Sequence, residues 1–200
     1  MRTPASFPPA MFVTVLHATL RLLLFRAGPQ DFPYDPGLSR WLVPLGVAAN
    51  ALVFGTVLPP PMALAMGAAM IGGLHLCTRS LLRLRKLEAR YTQTFHALVA
   101  SGSVLTLALL PAMLQVAPLL VELASREQPL PPGTRLELPA GPALMMNVLN
   151  LWAFAVNAAI YRQAADFKLP LALLATLLIA MTLLMFVVFG GFLAAALLGA

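Results

Sequence analysis

The chain has 200 residues, 60% of them hydrophobic and only 10% charged, with a mean hydropathy of +0.86. That composition excludes a soluble globular domain and predicts an all-α integral membrane protein, one helical bundle with no second domain large enough to own a core. The net charge of +6 is read as loop charge that sets orientation, since no RNA- or DNA-binding pattern accompanies it, and the single cysteine, Cys77, excludes an internal disulfide framework.

Residues 1–40 read as a cytoplasmic N-terminal segment, and residues 41–200 as a bundle of five transmembrane helices. Residues 1–9 are polar and proline-rich. Residues 10–25, AMFVTVLHATLRLLLF, are apolar apart from Thr14, His17 and Arg21. Their i, i+3, i+7 spacing draws a polar stripe along a helix. Arg21 interrupts what would be the apolar core of a signal peptide, and no small-x-small cleavage site follows it. The stripe predicts an amphipathic helix lying in the cytoplasmic interface; a helix packed on the bundle ends would carry nearly the same pattern. Residues 26–40 form a loop whose DFPYDP core is placed to fold over the mouth of the bundle. Asp31 and Asp35 are a conceivable metal pair, but Asp beside Pro more commonly forms turns.

The first span covers residues 41–58, with Asn50 midway, and Pro59-Pro60-Pro61 ends it. The second covers residues 62–78. Ala65, Ala69 and Gly73 repeat there at i, i+4, i+8, which lets another helix backbone approach closely. Residues 79–90, RSLLRLRKLEAR, follow. Arg79, Arg83, Lys86 and Arg90 are expected to share one face of a continuing helix, a basic elbow held by anionic lipid at about 1 kcal/mol per residue. The third element, residues 95–124, would reach about 45 Å against a ~30 Å hydrocarbon core. Pro111 and Pro118 are expected to kink or end it. A proline-rich loop spans residues 125–142. The last span runs over residues 169–198, with Gly190-Gly191 as a candidate break.

The fourth span, residues 143–161, carries the most informative pattern. Asn147, Asn150, Phe154, Asn157 and Tyr161 fall within a sector of about 80° on one side of the helix. Trp152 points almost the opposite way. Three carboxamides in hydrocarbon need partners, because an unpaired amide there costs several kcal/mol. Counted from the cytoplasmic helix ends, Asn50, Ser103, Thr106, Asn150 and Thr182 lie about 12–20 Å deep at ~1.5 Å per residue. They form a neutral polar layer, expected to staple the helices together from within.

No Asp, Glu, Lys or Arg lies deep within a span, which ranks ion- and proton-coupled transport low. The chain has no CxxC, HExxH, acidic metal motif or glycine-rich phosphate loop, and no acid, base and nucleophile set marks an enzyme. No cofactor is expected. The alternative is a haem or soft metal at His75, Cys77 and His96, which flank the elbow at similar depth.

Eleven basic residues fall on the side of the N-terminal segment, the elbow and the last link, against only Arg126 and Arg135 on the other. The positive-inside rule then puts the N-terminus in the cytoplasm and the C-terminus outside a bacterial cytoplasmic (inner) membrane. Tyr34, Trp41, Tyr91 and Tyr161 all fall at the expected cytoplasmic boundary, where amphipathic rings prefer to sit.

The order of elements, with RLLLFRAGPQDFPYDP before five spans and WAFAVNAAIYRQA running into a short link, resembles small bacterial membrane proteins grouped with the Yip1 family. The DLYGP-like and GY-containing core motifs of that family are absent. The resemblance implies a non-catalytic role and no particular site residues. The function expected from the sequence is a non-catalytic scaffold or accessory subunit of a membrane complex. Its partners would be the lipid bilayer and a second membrane chain, either another protein or a further copy; nucleic acid is not among them. The alternative is a binder of a lipid, quinone or haem in the neutral polar layer.

Overall fold

A computed structural model describes residues 9–125 and 139–198, which form six α-helices and no strand. They are α1 (Pro9–Leu23), α2 (Ser39–Phe54), α3 (Pro60–Leu84), α4 (Tyr91–Ala124), α5 (Ala140–Ala164) and α6 (Leu169–Leu198). The last five are long and apolar enough to cross a membrane. Helix α3 packs against α2 and α6, α2 against α4, α4 against α5, and α5 closes on α6. The five spans therefore form a ring. Helix α1 lies outside it, against α4.

Glycine sets the closest helix approaches. A Cβ on Gly67 would stand 2.7 Å from the Val47 carbonyl oxygen, so α2 and α3 meet backbone to backbone there. A Cβ on Gly190 would come within 2.6 Å of Ala69 Cβ, and one on Gly73 within 2.9 Å of the Phe186 ring. The Ala65–Ala69–Gly73 stripe thus receives α6. Gly190-Gly191 does not break that helix: the pair gives up its side chains for proximity, and the backbone stays helical.

Helix α4 begins at Tyr91 and continues for 34 residues, about 51 Å at ~1.5 Å per residue. Pro111 and Pro118 lie inside it without ending it. Each proline removes one backbone donor, which an apolar helix tolerates where neighbouring groups re-satisfy the freed carbonyl.

Three helices close with a non-glycine residue in the left-handed region, Phe25 (φ 57°) after α1, Lys86 (φ 58°) after α3 and Asp166 (φ 52°) after α5, and those of α3 and α5 lie on one side of the bundle. In α3, Leu87 N–H donates to Leu82 O at 2.8 Å and Lys86 N–H to Arg83 O at 3.0 Å. This is the paired closure of a Schellman motif, with Leu87 packed back on buried Leu82. The same pair of bonds closes α1, and Phe167 N–H donating to Arg162 O closes α5. The expected basic helical face is therefore cut at Leu84: Arg79 and Arg83 stay on the helix, while Lys86 and Arg90 leave it.

The main core lies on that same side. Phe32, Leu38, Leu42, Phe95, Leu98, Val99, Ile160 and Tyr161 are among its buried members, with Val15, Ala18, Leu22 and Leu23 of α1 added from outside. Phe32 is the anchor of the DFPYDP loop. Asp31 accepts from Gly28 N–H and Asp35 from Gly37 N–H, both at 2.8 Å, so the two aspartates shape turns. The opposite half is looser. No residue of α5 from 140 to 155 is buried, while five between Val156 and Ala164 are.

On α1, Val15, Ala18, Thr19, Leu22 and Leu23 are buried and Phe12, Val13, Leu16 and Leu20 are exposed. Trp152 Nε1–H donates to Leu23 O at 3.0 Å, and its ring lies 5.5 Å from that of Phe25. The indole that faces away from the asparagine stripe holds α1 against the flank of the ring.

Candidate intramembrane cavity

All five spans contribute to one cavity system. A chamber of about 210 Å³ is lined by Asn50, Ile71, Leu98, Val99, Ser103, Thr106 and Leu149, among others. A second of about 460 Å³ adds Phe54, Phe154, Tyr161, Thr176, Ile179 and Val187. Met70, Leu74, Asn150, Ala153, Asn157 and Leu183 line both, so the chambers adjoin. No carboxylate, imidazole, amine, guanidinium or thiol is among the lining groups.

Five of the seven seam residues meet here: Asn50, Ser103, Thr106, Asn150 and Asn157. Asn147 and Thr182 do not. Asn147 is exposed one turn outward of Asn150, and Thr182 faces out of the bundle, donating to Leu178 O at 2.9 Å.

The polar layer does not staple helices in the expected way. Asn50 Nδ2 donates to Gly46 O, Asn150 Nδ2 to Met146 O (both 2.8 Å) and Ser103 Oγ to Val99 O at 2.7 Å. Each bond closes on the residue's own helix four positions back. That uses one N–H of each asparagine and the serine hydroxyl proton within the helix, and leaves the second amide N–H and the carboxamide oxygen of Asn50 and Asn150 without a bond to another helix. Among the side-chain ties between helices, the one beside the cavity joins Thr78 Oγ1 to Tyr161 Oη at 3.0 Å, with both side chains buried. Tyr161 is therefore a core residue rather than an interfacial ring. Thr78 carried no signal beyond its position at the end of a span.

The histidines are separately engaged. His75 Nδ1 pairs with Tyr91 Oη, and its ring stands edge-on to Tyr91 and Phe95. His96 is fully buried, with Nε2 2.7 Å from Ser39 Oγ and Nδ1 without a partner among the described residues. An orphaned acceptor costs less than an orphaned N–H, so we assign Nε2 as the protonated nitrogen, donating to Ser39. In that tautomer the Ser39 hydroxyl accepts from the imidazole. Cys77 is half-buried on α3. Among the described residues, no three His, Cys, Asp or Glu side chains form a group able to hold a metal.

At the elbow side, arginines close the end of α5. Arg90 Nη1 donates to Gln163 O, Ala164 O and Asp166 Oδ1, the last at 2.9 Å. Arg85 Nε donates to Ala165 O, and its guanidinium lies 5.2 Å from the centre of the Phe167 ring. Helix C-termini present unsatisfied carbonyls and a partial negative charge, which guanidinium groups match. Gln93 Nε2 donates to Gln30 O and Phe32 O, and Gln30 Nε2 to Gln163 Oε1, tying the DFPYDP loop to α4 and α5. Arg90 thus serves the protein rather than the lipid. Arg79, Arg83 and Lys86 remain exposed, with Arg83 3.8 Å from Glu88.

The chain matches no protein-family model, no curated protein and no solved structure.

Proposed function

We propose that this is a non-catalytic integral membrane protein that holds a neutral amphiphile in its intramembrane cavity. The observation that carries the reading is the convergence of Asn50, Ser103, Thr106, Asn150 and Asn157 on one space, with the hydrogen bonds of Asn50, Ser103 and Asn150 made to their own helices and not across the bundle. A polar layer needed only to hold helices together would be consumed by cross-helix bonds. This one offers a guest both carboxamide oxygens and the remaining amide N–H groups. The lining is otherwise aliphatic and aromatic, and its larger chamber has the size of a site for a drug-sized molecule. A charged ligand would meet no counter-charge, so the guest is neutral.

The basic excess on the elbow side supports a cytoplasmic N-terminus, in the inner membrane of a bacterium. The likeness of layout to the Yip1 group agrees with a non-enzymatic role.

The test is organic extraction of protein purified in mild detergent, compared between wild type, Asn150→Leu, Asn157→Leu and the outward-facing Thr182→Leu. A neutral amphiphile that extracts with wild type and Thr182→Leu, and is lost from the two asparagine variants, supports the binder. Loss of a co-purifying protein from the asparagine variants, with no change in extracted small molecules, would instead make the seam a docking face of a scaffold.

A further inference from the structure

The cavity walls differ in how they meet the outside. Met70 and Leu74 on α3 are half-buried and form its back. Asn150 of α5, with Ala180 and Leu184 of α6, line the same chamber and are exposed. Residues that belong both to a cavity and to the exterior mark its opening. That opening lies between α5 and α6, where the outer half of α5 has no buried residue.

Its depth follows from helix geometry. Asn150 stands about 21 Å along α5 from Ala164, and Leu184 about 22 Å along α6 from Leu169, at ~1.5 Å per residue. Both positions fall within a ~30 Å hydrocarbon layer rather than in water. Asn147, exposed and one turn further out on the face of Asn150, stands on the approach.

We propose that the cavity is filled sideways from the bilayer, through the opening between α5 and α6. The guest is a lipid-soluble molecule with a neutral hydroxyl or carbonyl head that reaches Asn150 and Asn157, and a hydrocarbon tail that stays in the opening. This rests on the cavity being a binding site and adds the route and the class of molecule. A water-borne ligand has no access at this depth. An anionic phospholipid headgroup would have to shed its charge into a lining without a cation. Diacylglycerol-type lipids and isoprenoid quinones both fit the chemistry.

The experiment uses the full chain in phosphatidylcholine vesicles with a diazirine-bearing diacylglycerol. Cross-links are expected at residues 147–157 and 180–187. Labelling should fall about tenfold, a loss of roughly 1.4 kcal/mol in occupancy, when Ala180→Trp and Leu184→Trp together fill the opening. Leu178→Trp, on the exposed face of α6 outside the cavity, should leave it unchanged. Asn147→Leu gives an independent reading and should slow labelling without lowering its final extent. Unlabelled diacylglycerol or quinone should compete, and whichever competes better names the source; phosphatidylglycerol should not. Cavity labelling that persists undiminished in the folded tryptophan variant and at an unaltered rate in Asn147→Leu would overturn the route and leave the site standing. Wild-type labelling confined to the outer surface, or equal competition by phosphatidylglycerol, would overturn the site itself.

Discussion

Thr78 and Tyr161 share a 3.0 Å hydrogen bond that joins α3 to α5 beneath the cavity, with both residues almost fully buried. It is the cross-helix tie that the asparagine layer was expected to supply. Tyr161→Phe should therefore destabilise the bundle more than Asn150→Leu does. Cross-helix bonds in membranes average about 0.6 kcal/mol and reach about 1.7. A double-mutant cycle of Thr78→Val with Tyr161→Phe should give a coupling in that range, read by unfolding in mixed detergent. No measurable coupling would show that the pair is incidental.

Arg90 should matter where Arg79 does not. Both are exposed, but the Arg90 guanidinium spans two carbonyls at the end of α5 and the Asp166 carboxylate, whereas Arg79 makes no hydrogen bond or ion pair among the described residues. Arg90→Ala is expected to cost about 1–2 kcal/mol and to expose the link at residues 165–168 to protease. Arg90→Lys should restore only part, because an ammonium lacks the planar fork. Arg79→Ala should stay within about 0.5 kcal/mol of wild type.

Two glycines on α3 should respond in opposite directions to alanine. Gly67→Ala would drive a methyl to 2.7 Å from the Val47 carbonyl and is expected to cost about 1–3 kcal/mol. Gly72 has nothing within 4 Å of a built Cβ, so Gly72→Ala should stabilise the helix by about 0.5–1 kcal/mol. Melting temperatures of the two variants in one detergent decide this.

Lys86→Gly should be stabilising. Lys86 holds φ 58° at the end of α3, a conformation that costs a non-glycine residue about 1 kcal/mol or more. Removing its Cβ relieves that cost without touching the closing bonds of Leu87 and Lys86 itself. Lys86→Val, β-branched at the same φ, should lose stability by a similar amount in the same assay.

Fold class and span number were legible because twenty or so apolar residues in a row have one structural solution in a bilayer. The contact made by the small-residue stripe followed from its i, i+4, i+8 spacing, whereas the expected break of α6 at Gly190-Gly191 did not occur. Helix ends were less legible. The pattern Arg79–Arg90 continues a basic face on paper, but Leu87 folding back on Leu82 stops α3 with a lysine, not a glycine, at the turn. The site was half legible. Periodicity and depth counting together found Asn50, Ser103, Thr106, Asn150 and Asn157, since both depend only on the backbone. They misplaced Asn147, which shares the face of Asn150 but lies a turn beyond the cavity, and Thr182, whose depth matches but whose azimuth points out of the bundle. Which partner each amide takes depends on local rotamers and on a neighbouring helix, and no spacing rule separates Asn150 bonding its own turn from Asn150 bonding across. The Gln30, Gln93 and Gln163 ties escaped for the same reason. They join residues far apart in the chain.

The central claim, that the polar layer holds a neutral guest, is tested most directly by native mass spectrometry of the protein released from membrane-derived nanodiscs. Wild type should carry one adduct of a neutral amphiphile per chain, and the Asn150→Leu/Asn157→Leu double variant should fly without it while keeping its fold. A wild-type chain with no bound mass, or an adduct retained undiminished in the double variant, would contradict the account.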